Sequence, residues 1–490
     1  DGDVAVFAGV PYTLGDARGG NLQTFNMCDW RVKEGLFGVN QDIGVMDVGN
    51  VFDATRGIFL GHWNSKDYDF SAYPAVRESR HIECEYTVTV EDLLGKRTFP
   101  DVIAIGSTDF DQHGLQSSAF ARLGYLPYHR DIKEIRIPLR ACIPKGIDNL
   151  LITGKAFSAE RDAFLFMRMQ PDMQNMGYAV GLAAAMALQR SGSVRDVDWA
   201  ELKASLFSKG ILRRQDIEPP EPEKPLAALV GAADEPEAFL QLLCQPKERI
   251  LPLLKTCYGK EDYRRVSLPI AMALAWFGAN DGVDEIISCL ERLRHEEQHD
   301  TIDRAGRPVG GFIEKPDTYW KVNQLITVLG MSGDPKALPV LRELVRETDA
   351  GGPPRHHAKL HWRRIPNYDR IVCLCHSLDL LATGEPLDEL EALIDKPYIG
   401  GHVSRGQSDA EGKYASSLLE LMIARTLAKT GSKKGLSVLI EYLDDVQTVL
   451  SDHAYSELKR ITGKDFGKSS EAWTRGLFHE KAEKYIVSYD

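Results

Sequence analysis

A chain of 490 residues, 43% hydrophobic and 27% charged, has ordinary globular composition and the length for roughly two to four cores. Its formal net charge of −12 excludes a general nucleic-acid binder, which needs a basic face, and leaves neutral or cationic small substrates open. The longest run of small apolar residues, AVGLAAAMAL from Ala179 to Leu188, is about half of a bilayer span, so no membrane span is expected and the chain reads as soluble.

The sequence opens on DGDVAVFAGVPYTLGDARGG, where Asp1-Gly2-Asp3 is turn chemistry with nothing ahead of it. Any targeting segment would precede Asp1, so the compartment stays open. RESRHIECEYTVTVEDL begins with Arg77, Glu78 and Arg80 and then alternates like a half-buried strand. FPDVIAIGSTDFDQHG reads as another strand, ending in Asp109, Asp111, His113 and Gly114. NLLITGK reads as a short buried strand stopping at Gly154, followed by a loop with Ser158, Arg161 and Arg168. PDMQNMGYAVGLAAAMAL then starts a helix, with Pro171 in its first turn and a bare face at Gly177, Gly181, Ala184 and Ala185. A strand ending in Gly, a loop and an Ala/Gly helix N-terminus suit an electron-rich group; an ordinary, tightly packed βα unit has the same pattern.

At RRQDIEPPEPEKPLAAL the composition changes. Prolines alternating with acids, residues 218–225, read as a semi-rigid linker that continues neither helix nor central strand. Residues 226–490 then repeat one template: an apolar helix ending at Gly, a polar turn, and a second amphipathic helix. The turns centre near Gly278, Gly333, Gly384 and Gly431, a period of about 50 residues that means stacked helix pairs. The units resemble HEAT repeats, with each Gly at a position after the helix end that needs positive φ. Trp473 is expected to pack over the last unit. Inserted loops at 295–320 and around GGPPRHHAKLHWRRIPNYDR read as contact surface for a protein partner. His356, His357 and His361 have a spacing that can bind metal, but the flanking prolines and Arg363-Arg364 favour a solvated basic loop. The eight cysteines, among them Cys373 and Cys375 on an apolar helix, form no C-x-x-C pair and read as buried thiols.

Four stretches together (DGDVAVFAGVPY, RESRHIECEYTVTVEDL, FPDVIAIGSTDFDQHG, and IPLRACIPKGIDNLLITGKAFSAERDA with MGYAVGLAAAMAL) resemble the C-terminal part of the FAD-dependent oxidoreductase family whose members carry an N-terminal dinucleotide-binding segment. The resemblance spans roughly residues 1–215. It implies an α/β fold, an incomplete FAD/NAD(P)-binding-type domain over residues 1–217, followed by the linker and an all-α HEAT-like solenoid. It also implies FAD as cofactor and hydride transfer from a small-molecule substrate. Asp1-Gly2-Asp3 matches the end of a family turn, so the expectation is a chain that starts inside a larger protein. No G-x-G occurs in the 490 residues, so the family's pyrophosphate-binding turn is not in this sequence.

The resemblance assigns Asp1 and Asp3 to the adenosine side and Gly154 and Lys155 to the ribityl–phosphate stretch. It also has Gln174, Asn175, Met176 and Gly177 present backbone N–H groups to the flavin ring. Removing a hydride also releases a proton, for which His113 is the candidate base, against the reading of a loop-end His bonded to Asp111. Arg77, Arg80 and Arg168 are candidates to clamp an anionic substrate or to stabilise reduced flavin, or else to pair with Glu78, Asp109 or Asp111. The alternative function is a non-catalytic helical-repeat scaffold carrying a relic oxidoreductase domain.

Overall fold

The computed structural model describes residues 4–7, 10–13, 51, 81–108, 118–126, 133–190, 192–217, 225–300, 317–348, 367–381, 384–405, 414–446 and 448–479. Asp1, Asp3, Arg77, Arg80, His113 and the His356–His361 loop lie outside these residues. Two compact units emerge, Arg77–Gly282, and Asp1–Val76 with Val283–Asp490.

The described strands form two antiparallel pairs: β1 (Val4–Phe7) with β2 (Val10–Thr13), and β3 (Val102–Thr108) with β4 (Lys133–Pro138). β3 is the strand expected in FPDVIAIGST. Ile105 faces Arg136 and Gly106 faces Ile135, and the register slips between Val102 and Ala104. Two other expected strands are corrected. Residues 81–89 keep their alternation but make only isolated bridges, Cys84 to Pro144 and Val88 to Ala159, before α1 (Val90–Leu94) starts at a Thr89–Asp92 capping box. NLLIT before Gly154 has no ladder partner among the described residues. Asn149 has φ 58, Leu150 is exposed, and the segment is held by Ile152 N–H to Cys142 O at 2.8 Å.

Further helices of this unit are α2 (Ala119–Arg122), α3 (Arg161–Phe164), α4 (Gln170–Gln189), α5 (Trp199–Ser208) and α6 (Arg214–Ile217). Past the linker come α7 (Leu226–Gly231), α8 (Pro236–Leu243), α9 (Lys247–Cys257) and α10 (Ser267–Trp276). The unit's packing continues across the linker. Phe120 on α2 meets Trp276 on α10 with ring centroids 4.6 Å apart, and Lys96 pairs with Glu237 at 2.6 Å. Phe157, Phe164 and Phe166 are fully buried in its core.

The other unit holds α11 (Val283–Asp300), α12 (Asp317–Ser332), α13 (Leu338–Glu347), α14 (Tyr368–Leu381), α15 (Asp388–Ile394), α16 (Tyr414–Lys429), α17 (Lys433–Glu441), α18 (Thr448–Thr462) and α19 (Ser470–Thr474). α12 packs on α14, α14 on α16 and α16 on α18, while α13 packs on α15. Ser377 Oγ donates to Ile326 O at 2.8 Å and Thr426 Oγ1 to Cys375 O at 3.3 Å, so the first row is stitched helix to helix. Gly278, Gly333, Gly384 and Gly431 have φ of 78°, 69°, 76° and 84°, as the helix-end reading requires. Trp473 is fully buried, edge-on to Phe466, and donates Nε1–H to Gly467 O at 2.6 Å. Cys373 and Cys375 are buried and in no disulfide.

Candidate functional site

Three segments meet beside the N-terminus of α4. The first is the C-terminal end of β3. Gly106 there is buried so tightly that a Cβ would lie 2.6 Å from Met167 Cγ and 2.8 Å from Phe166 O, so only Gly lets the strand lie on that segment. The second is a 3-10 turn, Gly154–Ala156, with Gly154 at φ +70° and nothing within 4 Å of the Cβ position. The third is α4 itself, which packs on both β3 and the turn. Around Gly177 the nearest atom to a Cβ would be Thr153 Oγ1, at 3.7 Å, so the helix passes directly beside the turn. Gly181 has nothing within 4 Å of its Cβ position, and Ala185 is exposed. The bare face read from the sequence is present.

The structure brings Gly154, Lys155 and Gly177 together, with Met176 buried beneath. Arg168 is buried, one residue ahead of the N-cap Met169. α4 starts at Gln170, one turn earlier than the assignment of amides to the flavin supposes. Gln174 to Gly177 therefore fall in its second turn, where backbone N–H groups bond back to carbonyls four residues earlier. What this stretch offers outward is the exposed Gln174 side chain and the bare Cα of Gly177.

Two residues here escape the sequence reading. Asp172 occupies the third position of α4 and is only 7% exposed. Its carboxyl accepts the backbone N–H groups of Ser107 at the end of β3 and of Met169 at the helix cap. Burial pushes its pKa up to about 6, against the lowering effect of those two bonds. Its Oδ2 is buried without a hydrogen-bond partner among the described residues. An acid three residues after a helix cap is half of a capping box, which is the signal in MQPD that points to it. The second residue is His81, directly after Arg80. Its Nδ1 lies 2.8 Å from Phe157 O, its ring stands edge-on to Phe164 at 4.7 Å, and the next residue, Ile82, donates N–H to Ala156 O at 2.9 Å. His81 thus borders the Gly154 turn.

Among the described residues no cluster of three or more His, Cys, Asp or Glu side chains is placed to hold a metal, and no helix is long and apolar enough to cross a membrane. No curated protein and no solved structure matches the chain. Residues 47–206 match the sequence model of a family described as FAD dependent oxidoreductase, which takes in β3, β4, the Gly154 turn and all of α4. The stretch that builds this site is therefore similar to an FAD-dependent oxidoreductase, a family whose cofactor is FAD.

Proposed function

We propose that the chain is part of a flavin-dependent oxidoreductase that removes a hydride from a carbon bearing OH or NH in a small molecule. The observation that carries this reading is the bare strip on α4 beside the open Gly154 turn, inside the segment similar to the FAD family. A flat ring can lie against Gly177 and Gly181 where any larger side chain would stand in its way. The fit is to the ring side of the cofactor. Gly154 and Lys155 would hold the chain leading away from the ring, and Gln174 to Gly177 would flank the ring. Asp1 and Asp3 would serve the adenosine side.

Bound FAD supplies the hydride acceptor. The substrate's C–H bond breaks with both electrons, and its O–H or N–H proton goes to a base, for which we assign His113. Asp172 ties the end of β3 to the α4 N-terminus through Ser107, and His113 follows β3 by five residues in the sequence. Arg77, Arg80 and Arg168 are assigned to an anionic group of the substrate or to the reduced ring. We read residues 283–490, the part of the expected 226–490 array that lies outside the Arg77–Gly282 unit, as HEAT-like and as offering its loops to a protein partner. The next-but-one packing of α12, α14, α16 and α18 supports that reading.

The test is spectroscopic. Protein purified from the complete coding sequence is saturated with FAD, freed of excess and examined for flavin absorbance. It is then mixed without oxygen with a panel of alcohols and amines. Retained colour that bleaches with one class of substrate is the expected result; colourless protein refutes the proposal.

A further inference from the structure

His81 is the one imidazole among the described residues at the Gly154 turn, and the tautomer of its neutral ring is set by its neighbour. A backbone carbonyl can only accept, so the contact with Phe157 O places the proton of the neutral ring on Nδ1. Nε2 then carries a lone pair and can only accept. Among the described residues no group hydrogen-bonds Nε2, and the side chain is half-buried, so that atom is open to a ligand. The ring cannot turn away freely, because Phe164 stands edge-on to it and the adjacent Ile82–Ala156 bond fixes its backbone. The space over Gly154 is open as well, with nothing within 4 Å of its Cβ position.

An acceptor-only nitrogen beside an open glycine turn selects a ligand that brings a donor. We propose that His81 is a binding residue of this site whose Nε2 accepts a hydrogen bond from a hydroxyl of a polyhydroxyl chain laid over the Gly154 turn. The inference rests on the flavin reading, since the ribityl chain is the hydroxyl-bearing part of FAD next to the ring.

Protein from the complete coding sequence is titrated with FAD, riboflavin and lumiflavin; the last has the ring without the ribityl chain. The variant is His81→Asn, whose amide N–H replaces the donor to Phe157 O and puts no atom where Nε2 was. It should melt with the wild type and bind FAD and riboflavin roughly three- to tenfold more weakly, the loss expected of one hydrogen bond. Lumiflavin binding should not change. Equal affinity of the variant for FAD and riboflavin, or an equal loss for lumiflavin, overturns the proposal. Should the variant unfold, the wild-type chain carrying nitrogen-labelled histidine decides: the His81 Nε2 resonance moves with riboflavin and not with lumiflavin, and an unmoved resonance overturns it. Wild-type protein that binds neither FAD nor riboflavin overturns the flavin reading and this inference together. Normal wild-type binding with an unaffected variant removes only the role of His81.

Discussion

Asp172 makes the most quantitative prediction. Its carboxyl has an ordinary value of 3.8 and is raised by burial to about 6 in the fold, so the folded chain holds this proton more tightly than the unfolded chain does. The contribution to stability is therefore fully present below about pH 4 and is lost as pH rises through about 6. A rise of about two units corresponds to about 3 kcal/mol at 1.36 kcal/mol per unit. The positive end of α4 favours the carboxylate by only ~0.3–1 kcal/mol, so burial wins. Asp172→Asn keeps an oxygen for the Ser107 and Met169 N–H groups and removes the titration. It also puts an amide NH2 where Oδ2 has no partner, a penalty that does not vary with pH. The informative quantity is the difference between the two proteins at each pH. Hydrogen exchange of the α4 amides should show it moving by about 3 kcal/mol in favour of the amide variant between pH 4 and pH 7. A difference independent of pH, or one moving in favour of the wild type, would refute the burial argument.

Other substitutions test the packing. Gly181→Ala should raise the melting temperature, gaining about 0.5–1 kcal/mol, because its Cβ meets nothing within 4 Å. Gly181→Leu should leave folding intact and weaken FAD binding; unchanged binding would move the ring off this face. Gly330→Ala should do the opposite of Gly181→Ala: its Cβ would lie 2.5 Å from Ser377 Cα, forcing α12 and α14 apart for a loss of about 1–3 kcal/mol, and a stabilised variant would contradict the close approach. Glu420→Ala leaves the N–H groups of Gly401 and His402 and the Tyr442 hydroxyl without their acceptor. It should destabilise by about 3 kcal/mol or more in urea unfolding, where a loss under about 1 kcal/mol would mean that water replaces the carboxylate.

Elements whose cause is local were legible. β3 follows from the short continuous apolar run VIAIG, buried on both faces at Val102, Ile103 and Ala104, α4 from small residues and Pro171, and the four repeat turns from glycine's tolerance of positive φ. The misreadings arose where a strand-like pattern needs a distant partner. Residues 149–153 have the composition of a buried strand, but no neighbouring strand among the described residues offers them a ladder, and Cys142 takes one amide only. Residues 81–89 alternate correctly and still make single bridges, since the chain opposite them turns into a 3-10 helix at Leu139–Cys142. Asp172 and His81 escaped for the same reason. MQPD marks Asp172 as a helix-cap acid, but its bond to Ser107 spans 65 positions and that of His81 to Phe157 spans 76, and nothing near either residue announces the distant partner.

The linker shows how far composition can carry an argument about domains. A Pro/Glu run interrupts backbone hydrogen bonding, a local property, and says nothing about which side chains meet beyond it. Those meetings are apolar and specific. Phe120 finds Trp276, and Gly95 packs beside Cys244, with an added Cβ at ordinary contact distance, 3.5 Å, from the Cys244 Cβ. Helices α7 to α10 consequently share a compact unit with β3, β4 and α4, and that unit runs from Arg77 to Gly282. Since Phe120 is almost fully buried, helices beyond the linker help to bury the unit that carries the candidate site. A substitution at Trp276 acts on that unit through Phe120, although Trp276 and Gly177 lie 99 positions apart in the chain.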